Sequence, residues 1–107
     1  MAKFLIEVKY TLDGAKGLVA EGGSSRVAAT KTAIESLGGS LETFYFAFGE
    51  TDAYIIMDMP DNAAAAAAAL ISRSSGGVAS RLVVLLTPDE IDAAAKRPMS
   101  YRAPGQS

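Results

Sequence analysis

No cysteine and no histidine occur in this 107-residue chain. The first absence removes disulfides, thiolate nucleophiles and zinc–thiolate sites together. The second removes the commonest general base near neutral pH and the commonest transition-metal ligand. Any proton transfer would fall to a carboxylate, a lysine or a tyrosine, and neither a metal nor a cofactor is expected. Positive charge lacks pattern as well: Lys3, Lys9, Lys16, Arg26, Lys31, Arg73 and Arg81 stand singly. With a net charge of −2 and a pI near 5.0, the chain offers no basic stripe to nucleic acid. Long apolar runs at the start are missing too. Met1-Ala-Lys-Phe-Leu-Ile is interrupted by Glu7 too soon for a signal peptide or a membrane span. These absences predict a soluble cytoplasmic protein with no nucleic-acid and no membrane partner.

What is present is apolar residue in quantity, 50% of the chain, enough for one globular domain with a real core. Its centre is the stretch 43–59. Phe44, Tyr45, Phe46 and Phe48 make an aromatic strand, and Tyr54, Ile55, Ile56, Met57 and Met59 an aliphatic one. Gly49-Glu50-Thr51-Asp52 connects them tightly. Neighbouring side chains on a strand point to opposite faces, so consecutive apolar residues give a sheet with two faces that avoid water.

Around this hairpin the rest falls into order. Residues 3–10 alternate as a strand, with Phe4, Ile6, Val8 and Tyr10 on one side and Leu5, Glu7 and Lys9 on the other. Thr11-Leu-Asp-Gly14 reads as a turn, and the glycines at 14, 17, 22 and 23 predict a loop over 15–23 with at most one helical turn. Ser24 or Ser25 is expected to cap a helix whose inner face is Val27, Thr30, Ile34 and Leu37. Lys31 and Glu35 can pair on its wet side, and Gly38-Gly39 ends it. Strands are expected over 41–48 and 53–59. Asp61 caps an alanine-rich helix through Leu70 and Ile71, whose small side chains suit close packing on a sheet. Gly76-Gly77 stops that helix before a strand over 78–87. Thr87-Pro-Asp-Glu90 is a capping box that starts a short last helix ending near Lys96. Residues 1–97 thus form one domain, and residues 98–107 have the composition of a frayed tail.

Strand, helix, strand, strand, helix, strand is the ferredoxin-like βαββαβ order, an α+β fold with a four-stranded antiparallel sheet and two helices on one face. Only the short last helix remains to shelter the other face, whose exposure would far exceed the apolar patch usual for a monomer. Packing against a second copy resolves this. The expectation is a homodimer, a dimeric α+β barrel, with a larger ring as a further form of self-association.

With the strand order in place, the linker acquires a likeness. Gly49-Glu50-Thr51-Asp52, then Ala53-Tyr54-Ile55-Ile56, Pro60-Asp61 and the alanine-rich helix, resemble the GYD-domain family, named for a Gly-x-Tyr-Asp type signature at this hairpin. Val8-Lys9-Tyr10-Thr11, Gly14-Ala15-Lys16-Gly17 and Leu37-Gly38-Gly39 are similar to it too. The likeness spans residues 3 to 90 and departs from the signature at Thr51, where the family often has tyrosine. It implies the dimeric-barrel fold and no particular substrate.

For a site, the more polar face of the first strand is assigned to the inter-subunit side. Glu7, Lys9, Tyr54, Asp58, Arg81 and, from the second strand, Tyr45 or the Phe44/Phe46 pair would line a space between the two sheets. Aromatic and aliphatic walls with few charges suit a small-molecule ligand. The competing expectation is that these charges only pair across strands. Glu50 and Asp52 could form a base or metal site, but Asp in such a turn ordinarily accepts the turn's own N–H groups while Glu50 stays solvated. The glycines at 14 and 17 have neither the spacing nor the context of a nucleotide-binding loop. Two functions compete: a small-molecule-binding or assembly module, and a cofactor-free enzyme acting on a small aromatic or lactone-like substrate. In the second, Glu7, Asp58, Tyr45 or Tyr54 would supply the acid or base.

Overall fold

The computed structural model describes residues 1–106. Its elements are β1 (Ala2–Tyr10), α1 (Leu12–Glu21), α2 (Gly23–Ser36), β2 (Ser40–Phe46), β3 (Ala53–Met59), α3 (Asn62–Ser74), β4 (Val78–Leu85) and α4 (Pro88–Ala95). The four strands form one antiparallel sheet in the order β2-β3-β1-β4. This α+β layout is compatible with the ferredoxin-like plan, with one more helix than the sequence predicts.

Alternation decides which face is buried. Phe4, Ile6 and Val8 of β1 pair with Met57, Ile55 and Ala53 of β3, and all six are buried beneath the helices. Ile34 of α2 and Ala65 of α3 close the core from above. Fully burying Phe4, Met57 and Met59 contributes on the order of 1.5–3 kcal/mol each. Small side chains let α3 lie close: Ala64, Ala65 and Ala68 face the sheet. Asp61 caps this helix by accepting from the Ala64 N–H at 2.8 Å. Gly38, at φ +83°, ends α2 in the left-handed region, and Lys31 and Glu35 pair on its outer side at 3.9 Å. The Thr87–Glu90 capping box forms as expected.

The largest correction lies between β1 and α2. The expected loop over 15–23 is the ten-residue helix α1, begun by Thr11, whose hydroxyl accepts from the Gly14 N–H. Glycine costs a helix about 1 kcal/mol per residue, so propensity alone disfavours α1. Tertiary contact overrides it: a Cβ on Gly14 would overlap the Gly77 carbonyl, and that carbonyl also accepts the Thr11 N–H at 3.0 Å. Glycine is what lets α1 dock there. The cap of α2 is also corrected, being Gly22 at φ +85° without a side-chain hydrogen bond, while Ser24 and Ser25 lie inside the helix. Strand β2 ends at Phe46, which leaves Phe48 in the connection and fully exposed.

The last helix does not return to the sheet. No residue of α4 is buried, and the radius of gyration, 17.3 Å, exceeds the ~13 Å of a compact chain of this length. The structure extends 60 × 31 × 22 Å. Residues 98–106 continue beyond α4, and the tail expected over 98–107 ends in a residue, Ser107, outside the described ones.

Candidate functional site

Two surfaces are candidates, one on each side of the sheet. On the open side, pairing register places Tyr45, Tyr54, Glu7 and Arg81 in one row across all four strands. A second row holds Thr43, Ile56, Leu5 and Val83, and a third holds Asp58 and Lys3. The six residues expected to line an inter-sheet space therefore share this face: Lys9 follows Glu7 two positions along β1, beside Ala79. Strand β2 presents Tyr45 here and turns Phe44 and Phe46 to the other side, where their rings stack tilted at 4.8 Å.

Charges on the open face pair as cross-strand neighbours do. Lys3 donates to Glu42 at 2.7 Å and to Asp58 at 3.1 Å. A bulge between Leu41 and Thr43 brings Glu42 into that contact. These hydrogen bonds, to Glu42 first and Asp58 second, raise the Lys3 pKa above its ordinary value. Arg81 lies 3.9 Å from Glu7. What the face leaves without an ion pair is Lys9, near the end of β1, and an apolar centre: Tyr45 is 70% and Tyr54 41% exposed, beside half-buried Leu5, Ile56 and Val83.

The helix-covered side contains two cavities that sequence reasoning missed. Helix α2 covers β2 while α3 covers β4, and a cleft of about 530 Å³ opens between them above Ile6, Val8 and Ile55. At the end where β1 meets α1, a second hollow of about 370 Å³ is walled by Leu18, Phe46 and Phe48. Tyr10 and Leu18 line both. Neither cavity is lined by Glu7, Lys9, Tyr45, Tyr54, Asp58 or Arg81.

Asp52 holds this corner together, and its role differs from the expected one. Its Oδ2 accepts the backbone N–H of Tyr10 at 2.9 Å rather than N–H groups of its own turn. Its backbone N–H donates to the Val8 carbonyl, and its carbonyl accepts from Ala47 N–H, both at 2.8 Å. Asp52 thereby ties the 47–52 connection to the end of β1 and stands in the wall of the smaller hollow. Burial raises the Tyr10 pKa, Arg26 opposes that shift, and Asp52 and Glu21 add to it. The phenol is thus held neutral among three charged groups, of which Arg26 and Glu21 pair at 3.6 Å. Among the described residues no cluster of carboxylates could hold a metal ion, so the Glu50/Asp52 pair is not gathered into one.

Comparison with known families now decides the family. The GYD domain model matches residues 4–95, nearly the whole folded body. The chain belongs to the GYD-domain family. No curated protein and no solved structure matches it. In this GYD domain the turn Gly49 to Asp52 is the segment that carries Asp52 to the smaller hollow, and Gly49 has open space around it. No helix among the described residues is long and apolar enough to cross a membrane.

Two signals in the sequence bear on the missed cavities. Phe46 and Phe48 cluster just before the 49–52 turn, and Tyr10 ends the buried-face alternation of β1. Placing them together requires α1, and that helix was hidden by its glycines.

Proposed function

We propose that this GYD-domain protein acts as a homodimeric small-molecule-binding module, two copies meeting through the open faces of their sheets. The observation that carries this reading is the row Ile56–Leu5–Val83, flanked by Tyr54 and Tyr45, with no helix among the described residues packed over it. Four strands spaced about 4.8 Å and about eight residues long give a face of roughly 19 by 26 Å. That is roughly 500 Å² of projected face, about two-thirds of the ~800 Å² per partner of a standard stable interface. Most charges on the face do not oppose the contact: Lys3, Glu42, Asp58, Glu7 and Arg81 are matched within each copy, and Lys9, which has no ion-pair partner among the described residues, lies near the end of β1. The helix-side cavities supply the binding half of the reading: each is concave, largely apolar and edged by a few polar groups, as small-molecule sites are.

Footprinting with hydroxyl radicals tests the interface. Tyr45 and Tyr54 are expected to become protected as concentration rises, while Tyr101 and Met99 of the projecting tail stay reactive. Labelling of Tyr45 and Tyr54 that stays the same at every concentration would remove the open face from any contact.

A further inference from the structure

We infer that the smaller helix-side hollow is a binding site for a small aromatic ligand carrying a hydrogen-bond donor, with Asp52 receiving the donor and the Phe46–Phe48 wall receiving the ring. The inference rests on the binding reading above but not on the dimer, since every residue involved belongs to one copy.

The shape of the hollow selects a ring. Its volume, about 370 Å³, lies at the lower end of the range for small-molecule sites. Phe46, Phe48 and Tyr10 give it three aromatic walls, and Leu18 and Ala15 of α1 give it an aliphatic one. Aromatic surfaces prefer offset or edge-to-face contact with another ring. Gly23 contributes by its lack of a side chain: a Cβ there would stand 3.1 Å from the Phe46 ring, so glycine lets the start of α2 and that ring share the space.

Chemistry selects the head group. An ionised carboxylate is acceptor-only, and one oxygen of Asp52 is already committed to the Tyr10 N–H. The other accepts no protein hydrogen bond among the described residues, and Asp52 is the charged residue among those that line the hollow. A hydroxyl or ammonium on the ligand would satisfy it, and an ammonium would also gain from the aromatic faces. A ligand carboxylate would instead meet like charge. Arg26, the nearby group that could receive an anion, lines the larger cleft and pairs with Glu21.

Titration of the full chain with phenol, phenethylamine and benzoate, followed by amide chemical shifts, tests the assignment. Phenol and phenethylamine are expected to perturb Tyr10, Leu18, Phe46 and Asp52, with benzoate weaker by about tenfold or more, the order of one charge-assisted hydrogen bond. The Asp52→Asn variant keeps a carbonyl oxygen for the Tyr10 N–H while turning the free acceptor into a donor. It is expected to erase or reverse the discrimination against benzoate. Phe48→Ala, at a fully exposed residue whose loss leaves the core intact, is expected to weaken the donor-bearing rings severalfold. Equal affinity for all three probes at this hollow would overturn the ligand class and leave the binding reading standing. If none of the three perturbs either helix-side cavity, both fall.

Discussion

Asp52 and Tyr10, 42 positions apart, are joined by a 2.9 Å hydrogen bond from the Tyr10 backbone N–H to the Asp52 carboxylate. The bond fixes the 49–52 turn against the end of β1, and both residues stand in the wall of the smaller helix-side hollow. A hydrogen bond to a charged group is worth about 1.5–3 kcal/mol, and an orphaned N–H costs more than a merely absent bond. Asp52→Ala is therefore expected to lower stability by about 2 kcal/mol in urea unfolding. Asp52→Asn, which retains an acceptor, is expected to lose less than half of that. Equal losses in the two variants would show that the bond does not hold the turn.

Gly14 offers a test in which the sign is diagnostic. Inside an ordinary helix Gly→Ala stabilises by about 1 kcal/mol. Here the added Cβ would overlap the Gly77 backbone carbonyl, which cannot move without losing its bond from the Thr11 N–H. Gly14→Ala is expected to destabilise, and Gly17→Ala, with open space around it, to stabilise. Thermal melts of the two variants that shift in the same direction would contradict the docking of α1 on the 76–77 turn.

Two groups set the response to base. Lys3 has its pKa raised by hydrogen bonds to Glu42 and Asp58, so the folded chain keeps that proton at a pH where the unfolded chain releases it. Tyr10 has its pKa raised chiefly by burial, with the same consequence. In both cases the unfolded state binds fewer protons between the two pKa values, so stability falls as pH rises through that window. The stability from these groups is fully present below about pH 10, the ordinary range of phenols and amines, and declines above it. Tyr10→Phe is expected to make the decline shallower and to remove the late-ionising phase from a near-ultraviolet absorbance titration. An unchanged titration would place the Tyr10 phenol in water.

Residues that obey a local period were legible in the sequence. Strand β3 matches its expected bounds because Ala53, Ile55, Met57 and Met59 alternate with Tyr54, Ile56 and Asp58 and are bounded by the turn and Pro60. Asp61 and Thr87 announce their helices through caps that act within three residues. Helix α1 was not legible, because what rescues Gly14 is Gly77, its neighbour in space but far along the chain. The partner of Asp52 was hidden for the same reason: turn chemistry looks a few residues ahead, and its acceptor bond reaches back to Tyr10. The cavities required one more level, the separation of α2 from α3 over the central strands, which no periodicity records. The GYD likeness was visible at the hairpin and is confirmed over residues 4–95.

Sedimentation equilibrium, on wild type and on Leu5→Glu, tests the central claim most directly. Leu5 lies on the open face between Ile56 and Val83, outside the helix-side core, so the substitution places a charge at the middle of the contact without touching what folds the chain. The account predicts twice the chain mass of 11.1 kDa for wild type at micromolar concentration, and a folded monomer for the variant. Wild type at the mass of a single chain throughout, with Tyr54 freely accessible, would contradict it.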